Sequence, residues 1–282
     1  MTNADRQIVV LGGRGMLGTD IVGILGQEGI EAGAWDLPEF DITNDEQLKK
    51  AVEGSETIIN CAAYTNVEKA ESEADLAYEV NAEAVGRLGR FAKAAGTGVL
   101  HISTDFVFDG KSQRPYLETD PTNPINTYGR TKLAGEQLLT ESGCRYCIIR
   151  LEWTYGPAGN NFVKKLIEAA KSGKALRVVY DQVGSPTATF EAAKAICKLL
   201  PNLPEGIFHF AAAGYVSRYE MARFIFDKLD MTVDLTGCKS SDYPTAAARP
   251  LNSRFNRRKI EAVLGELIKP WKEPLEHFLE QL

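Results

Sequence analysis

A short apolar run, Ile8-Val-Val-Leu11, leads straight into Gly12-Gly-Arg-Gly-Met-Leu-Gly18, and a helical apolar pattern begins at Met16. This order, strand then glycine-rich turn then helix, restricts the fold more than any other feature of the chain. Gly12, Gly15 and Gly18 are three apart. Glycine lets a backbone turn tightly and approach a pyrophosphate, whose charge then rests on the helix N-terminus. The spacing alone is weak; its place between a first strand and a first helix gives it meaning. Asp36 ends the second extended segment, Glu31 to Trp35, about 20 residues further on, where a carboxylate bonds a ribose 2′-OH. That favours NADH. Arg14, inside the turn, could instead receive the 2′-phosphate of NADPH.

Strand and helix patterns continue to alternate. Thr43-Asn-Asp-Glu46 reads as a capping box opening a helix through Val52. Thr57 to Asn60 is a strand, 74–95 a long helix, and Gly98 to Ser103 a strand. Residues 105–126, rich in Pro, Asp and Asn, form a long loop of the kind that is usually functional. A helix over 128–142 and a strand over 146–151 follow. Continuous apolar strands alternating with helices predict an α/β fold, a Rossmann-like doubly wound parallel sheet. Past Arg150 the pattern loosens. Helices are expected at 162–172 and 189–200, strands at 176–180 and 206–210, and Ser217-Arg-Tyr-Glu220 is a second capping box. Residues 230–257 read as irregular, and a last helix follows Pro270. The expected division is 1–150 for the dinucleotide, with 187–211 returning to its sheet, and 151–282 as a smaller α/β domain, mainly for substrate.

Composition removes several classes of function. Lys plus Arg is 32 against 38 for Asp plus Glu, a net charge of −6, which argues against general nucleic-acid binding. No run of about 18 apolar residues suggests a membrane span. Met1 to Gln7 is polar without a signal-peptide pattern, so a cytoplasmic protein is expected. Five cysteines at scattered spacing make a poor disulfide framework. Cys144 and Cys147 form a CxxC, but residues three apart on a strand face opposite sides. Three dispersed histidines do not suggest a metal centre or a Ser-His-Asp triad; His101 and His209 lie in apolar runs as core residues.

Tyr128-Gly-Arg-Thr-Lys132 places a phenol and an ammonium on one face of a helix. A free tyrosine, with a pKa of about 10, is a weak acid at neutral pH, and a neighbouring lysine favours its phenolate. Such a pair can pass a proton to or from a carbonyl oxygen. Ser103-Thr104 ends the fourth strand, where ligands of parallel sheets bind, and a hydroxyl there can bond the same oxygen.

The glycine turn, Thr104 and the YxxxK pair resemble the extended short-chain dehydrogenases/reductases. Longer runs narrow the likeness. Residues 60–71 (NCAAYTNVEKAE), 103–110 (STDFVFDG), 128–136 (YGRTKLAGE), 181–187 (DQVGSPT) and 248–253 (ARPLNS) resemble the dTDP-4-dehydrorhamnose reductase family. The resemblance implies reduction of the C4 ketone of a dTDP-linked 4-keto-6-deoxy sugar by NADPH or NADH. By the same resemblance Tyr128 would protonate O4, Lys132 would lower its pKa and hold the nicotinamide ribose, and Thr104 would polarise the carbonyl. Arg14, Gly15, Met16 and Leu17 would line the pyrophosphate, Asp41 and Ile42 the adenine, and Ala62, Ala63 and Tyr64 the underside of the cofactor. Val67, Asp105, Phe106 and Trp153 would shape the sugar pocket. Asn81 resembles a helical asparagine that supports the active site in this superfamily; a buried structural amide is the other reading. A homodimer, and Mg2+ through acidic residues such as Asp20, are left open.

One run departs from the family pattern. Arg150-Leu-Glu-Trp153 puts Leu151 and Glu152 where the family carries a threonine and a small residue. A carboxylate beside the pocket could alter the sugar preference or repel a phosphate. Two alternatives therefore stand beside the reductase: an enzyme for another nucleotide-linked 4-keto sugar, and a non-catalytic NAD(P)-binding regulatory subunit. Arg249 is the expected grip on the substrate diphosphate. Arg254, Arg257, Arg258 and Lys259 read mostly as a solvated helix face.

Overall fold

The computed structural model describes residues 7–282; Met1–Arg6, most of the polar N-terminal run, lie outside the described residues. Six parallel strands build the central sheet: β1 (Gln7–Leu11), β2 (Ala32–Trp35), β3 (Ser55–Asn60), β4 (Gly98–Thr104), β5 (Tyr146–Leu151) and β6 (Gly206–Phe210). Their spatial order is β6-β5-β4-β3-β1-β2. The apolar strands are continuous because both faces are buried. Val9, Leu11, Ile58 and Ile148 pack on one side, and Val10, Ile59, Leu100 and Ile149 on the other. Cys144 and Cys147 fall into these two separate clusters, and all five cysteines are free thiols. On one face lie α1 (Met16–Gln27) and α6 (Thr189–Leu199); on the other lie α2 (Asp45–Val52), α3 (Ala84–Ala95) and α4 (Thr127–Glu141). Strand β6 and helix α6 thus come from the second half of the chain.

The remainder of that half, including α5 (Phe162–Lys171), α7 (Arg218–Lys228) and α9 (Lys272–Leu279), gathers around its own core of Val163, Ile225, Trp271 and Leu275. The loop 105–126 is tied to it: Tyr116 pairs with Phe255, and the two stack with Phe108 and His209.

Three local expectations are corrected. The cap of α2 is Asn44, whose side chain accepts from the N–H groups of Glu46 and Gln47, while the Thr43 hydroxyl bonds Asp41. Residues 230–257 are not wholly irregular: Leu235–Cys238 pairs with Leu176–Val179. The basic group is no shared helix face. Arg254 bonds the Gln113 carbonyl and Lys259 that of Ile207; of the four, only Arg258 and Lys259 lie on α8 (Arg258–Leu264).

Helix α4 carries a buried charge into the sheet. Glu136 accepts two hydrogen bonds from Arg150 of β5, at 2.9 and 2.6 Å, and one from Ser103 of β4. Arg150 also donates to Nε2 of His209, so the other ring nitrogen carries the proton and donates to the Tyr116 carbonyl. Removing one partner strands the other charge. Arg150→Leu is expected to lower unfolding free energy by about 3–5 kcal/mol in urea titrations, and the double variant Arg150→Leu/Glu136→Leu to recover most of it.

Candidate active site

A cavity of about 610 Å³ opens along the carboxyl ends of the strands. The glycine turn forms its first wall. Gly12 has φ +71°, and a Cβ there would meet the Ala62 backbone at 2.7 Å. A Cβ on Gly18 would meet the Gly12 carbonyl at 2.2 Å, so only glycine lets α1 start against the turn. Gly15 caps α1 without a side-chain bond, and no acidic residue occupies the first turn, leaving the positive helix end for an anion. Gly15, Met16, Leu17, Asp41, Ile42, Ala62 and Ala63 all line the cavity. Asp36 does too, its carboxylate accepting from the N–H groups of Arg14 and Leu37 at 2.9 and 2.8 Å.

The catalytic candidates converge at the end of β4. Thr104, Asp105, Phe106, Tyr128 and Lys132 line one stretch of wall, with Val67 and Trp153 nearby. Gly129 brings the phenol there: a Cβ at that position would meet the Phe106 carbonyl at 2.2 Å, so glycine lets α4 begin against the turn after β4. Phe106 and Tyr128 pack edge to face at 5.5 Å. Lys132 is 2% exposed; its Nζ donates to the Ile102 carbonyl at 2.7 Å and lies 3.3 Å from Nε2 of His101.

The expected effect of Lys132 on Tyr128 is not what the structure has. Burial, with the charge of Asp105, pushes the phenol up to about 12; a hydroxyl of Thr104 offsets part of this. Lys132 bonds the strand instead of the phenol, and burial pushes it down to about 8. Tyr128 is therefore firmly protonated, the form a proton donor requires. Burial also pushes Asp105 up to about 6.

Asn81 sits in a π-helical turn, Glu79–Glu83, that interrupts the expected 74–95 helix. Its side chain is fully buried, accepts from the Tyr64 N–H at 2.8 Å, and donates to the Tyr64 carbonyl and to Thr131 of α4. It joins the cavity strand-end to the helix bearing Tyr128 and Lys132. A π-turn has no clear sequence signal, which is why the interruption was not anticipated.

Three expected residues lie elsewhere. The Tyr64 phenol points to Glu73, outside the cavity. Arg14 lies in a smaller neighbouring hollow with Glu39, which it bonds at 2.7 Å. Arg249 pairs with Glu68 and bonds the Ala247 carbonyl, off the cavity wall. Asp20 is half-buried beside Thr189, and among the described residues no three His, Cys, Asp or Glu side chains converge as a metal would require. Arg218 lines the cavity and was missed, since its capping box marked only a helix start.

The comparisons match this architecture. The family model described as RmlD substrate binding domain covers residues 6–282. A dTDP-4-dehydrorhamnose reductase of Aggregatibacter actinomycetemcomitans is 35% identical, the alignment covering 96% of this chain and 97% of the relative. The chain belongs to the dTDP-4-dehydrorhamnose reductase family. The crystal structure of a family member from Clostridium acetobutylicum superposes with a TM-score of 0.94 at 36% identity, covering 98% of this chain and 99% of that one. Another, from Bacillus anthracis in complex with NADP, has a TM-score of 0.93 at 36% identity, covering 99% and 100%. No helix among the described residues is long and apolar enough to cross a membrane.

Glu152, where the sequence alone predicts a departure, has a defined environment. It is 1% exposed, one oxygen accepts from the Ser185 N–H at 3.1 Å, and the other has no hydrogen-bond partner. Burial and the nearby Asp105 hold its pKa well above the carboxylate range. Burial thus favours its protonated form, and its side chain does not line the cavity where a phosphate would lie. A raised pKa means the folded state keeps a proton that the unfolded state loses above about pH 4.3, so this group costs stability as pH rises. Replacing it with glutamine should raise unfolding free energy at pH 8 more than at pH 5; equal effects at both pH values would mean that Glu152 stays ionised.

Proposed function

We propose that the chain reduces the C4 ketone of dTDP-4-dehydro-L-rhamnose to dTDP-L-rhamnose, with Tyr128 as the proton donor. Membership of the reductase family makes it an oxidoreductase and removes the idle-subunit alternative. The observation that carries the finer assignment is the juxtaposition of Thr104, Tyr128 and Lys132 on one wall, with the phenol held protonated.

The glycine cradle, the uncapped end of α1 and Asp36 suit a dinucleotide. A bound NADPH or NADH supplies the hydride to C4. The chain's own residues manage the oxygen. Tyr128 would donate to the carbonyl oxygen, and Thr104, turning its hydroxyl away from Asp105, would donate a second bond, drawing electrons from C4. As the carbonyl bond becomes an alkoxide, the Tyr128 proton moves to O4 and a phenolate remains. Lys132, anchored by the Ile102 carbonyl, would hold positive charge near that phenolate and bond the nicotinamide ribose. Trp153 and Phe106 would exclude water from the sugar face. A cytoplasmic location and a homodimer belong to the same reading.

Tyr128→Phe should lower kcat at least about a hundredfold with cofactor affinity nearly unchanged. Lys132→Ala should both slow turnover and weaken cofactor binding; unchanged cofactor affinity would remove the ribose role. Asp36 favours a ribose 2′-OH, whereas Arg14 would meet a 2′-phosphate only by leaving Glu39, so kcat/KM for NADH and NADPH should agree within about a hundredfold. Arg14→Ala should then lower kcat/KM for NADPH and spare NADH.

A further inference from the structure

Arg218 is the first residue of α7 and lines the cavity. A cation there opposes the positive end of the helix, so helix stability does not explain it. Its guanidinium carbon lies 3.5 Å from the Trp153 ring centroid and 4.7 Å from that of Phe162. Trp153 itself has φ +47°, a left-handed conformation unusual for a bulky residue. Among the described residues the guanidinium makes no hydrogen bond and no ion pair; only the Arg218 backbone N–H is engaged, by the Gln182 carbonyl at 3.2 Å.

The other charged groups around the cavity are occupied. Lys132 bonds the Ile102 carbonyl, Asp36 accepts two N–H groups, and Asp105 accepts from the hydroxyls of Ser253 and Thr104. Arg249 is held by Glu68. An aromatic stack holds a guanidinium by its face and leaves its in-plane N–H donors available. Loss of hydration lowers the Arg218 pKa to about 9, which leaves it charged at neutral pH; the charge of Asp105 raises it and that of Arg249 lowers it. Asp105 follows Thr104, and both line the same cavity as Arg218 and Trp153.

Resting on the reductase reading above, we propose that Arg218 is a substrate-specificity residue that donates hydrogen bonds to the oxygens of the hexose ring. A neutral sugar suits the place: the guanidinium has a counter-charge in Asp105, and what it lacks is acceptors. The nucleotide diphosphate is the competing source of oxygen acceptors, and it predicts a different pattern.

The test uses the full chain with cofactor bound, and compares wild type with Arg218→Gln and Arg218→Lys. Calorimetry measures the affinity for dTDP-L-rhamnose and for dTDP, and initial rates give KM for the 4-keto sugar nucleotide. Both variants should weaken dTDP-L-rhamnose binding and raise KM at least about tenfold, while dTDP and cofactor affinities stay within about twofold. Arg218→Lys keeps a cation over Trp153, so it separates loss of the donor fork from loss of the stack. The proposal is overturned if dTDP affinity falls in parallel, which marks a diphosphate contact, or if neither variant alters sugar-nucleotide binding. A wild type that binds dTDP-L-rhamnose but turns over no 4-keto sugar defeats the reductase reading alone, because the binding comparison still judges Arg218.

Discussion

Helix α4 meets the sheet through two buried charges, Lys132 and Glu136, one turn apart on the same face. Lys132 reaches the Ile102 carbonyl at the end of β4; Glu136 takes Arg150 of β5 and Ser103 of β4. Each bond has a direction, which apolar packing alone lacks. The helix can neither slide nor rotate without stranding a charge in the core, where the loss would be several kcal/mol. Tyr128, one turn before Lys132, inherits that fixed position. The glycine at 129 and the turn after β4 then bring the phenol beside Thr104.

This anchoring changes the division of labour within the YxxxK pair. A lysine bonded to the strand makes no hydrogen bond to the phenol. Burial dominates, and the phenol keeps its proton. For a ketone reduction this is the productive starting form, since the enzyme must give a proton to O4. His101 lies at the far side of the lysine, with Nδ1 facing the amide nitrogen of Asn60. The Asn60 carbonyl oxygen is already taken by the Ala62 N–H, so the ring nitrogen is the acceptor of that bond. Nε2 then carries the ring proton toward Lys132.

The arginines show how poorly net charge forecasts use. Arg14, Arg249 and Arg218 all stand near the binding region, yet two are already paired with glutamates. Which cation is free depends on which carboxylates the fold brings within reach. Glu39 is close in sequence to Asp36, but Glu68 is separated from Arg249 by most of the chain.

Much of the molecule was legible in the chain order of its residues. The apolar strands, the glycine turn and the Ser217 capping box depend on local geometry, with periods of two and 3.6 and steric limits on glycine. The positions of Thr104, Tyr128 and Lys132 were legible too, because strand ends of a parallel sheet converge by construction. Tertiary structure alone decided the raised pKa of Tyr128, the raised pKa of Glu152, the π-turn at Asn81 and the unspent donors of Arg218. All four depend on desolvation or on partners distant in sequence, and a buried group's charge is set by what surrounds it in space rather than by its neighbours along the chain.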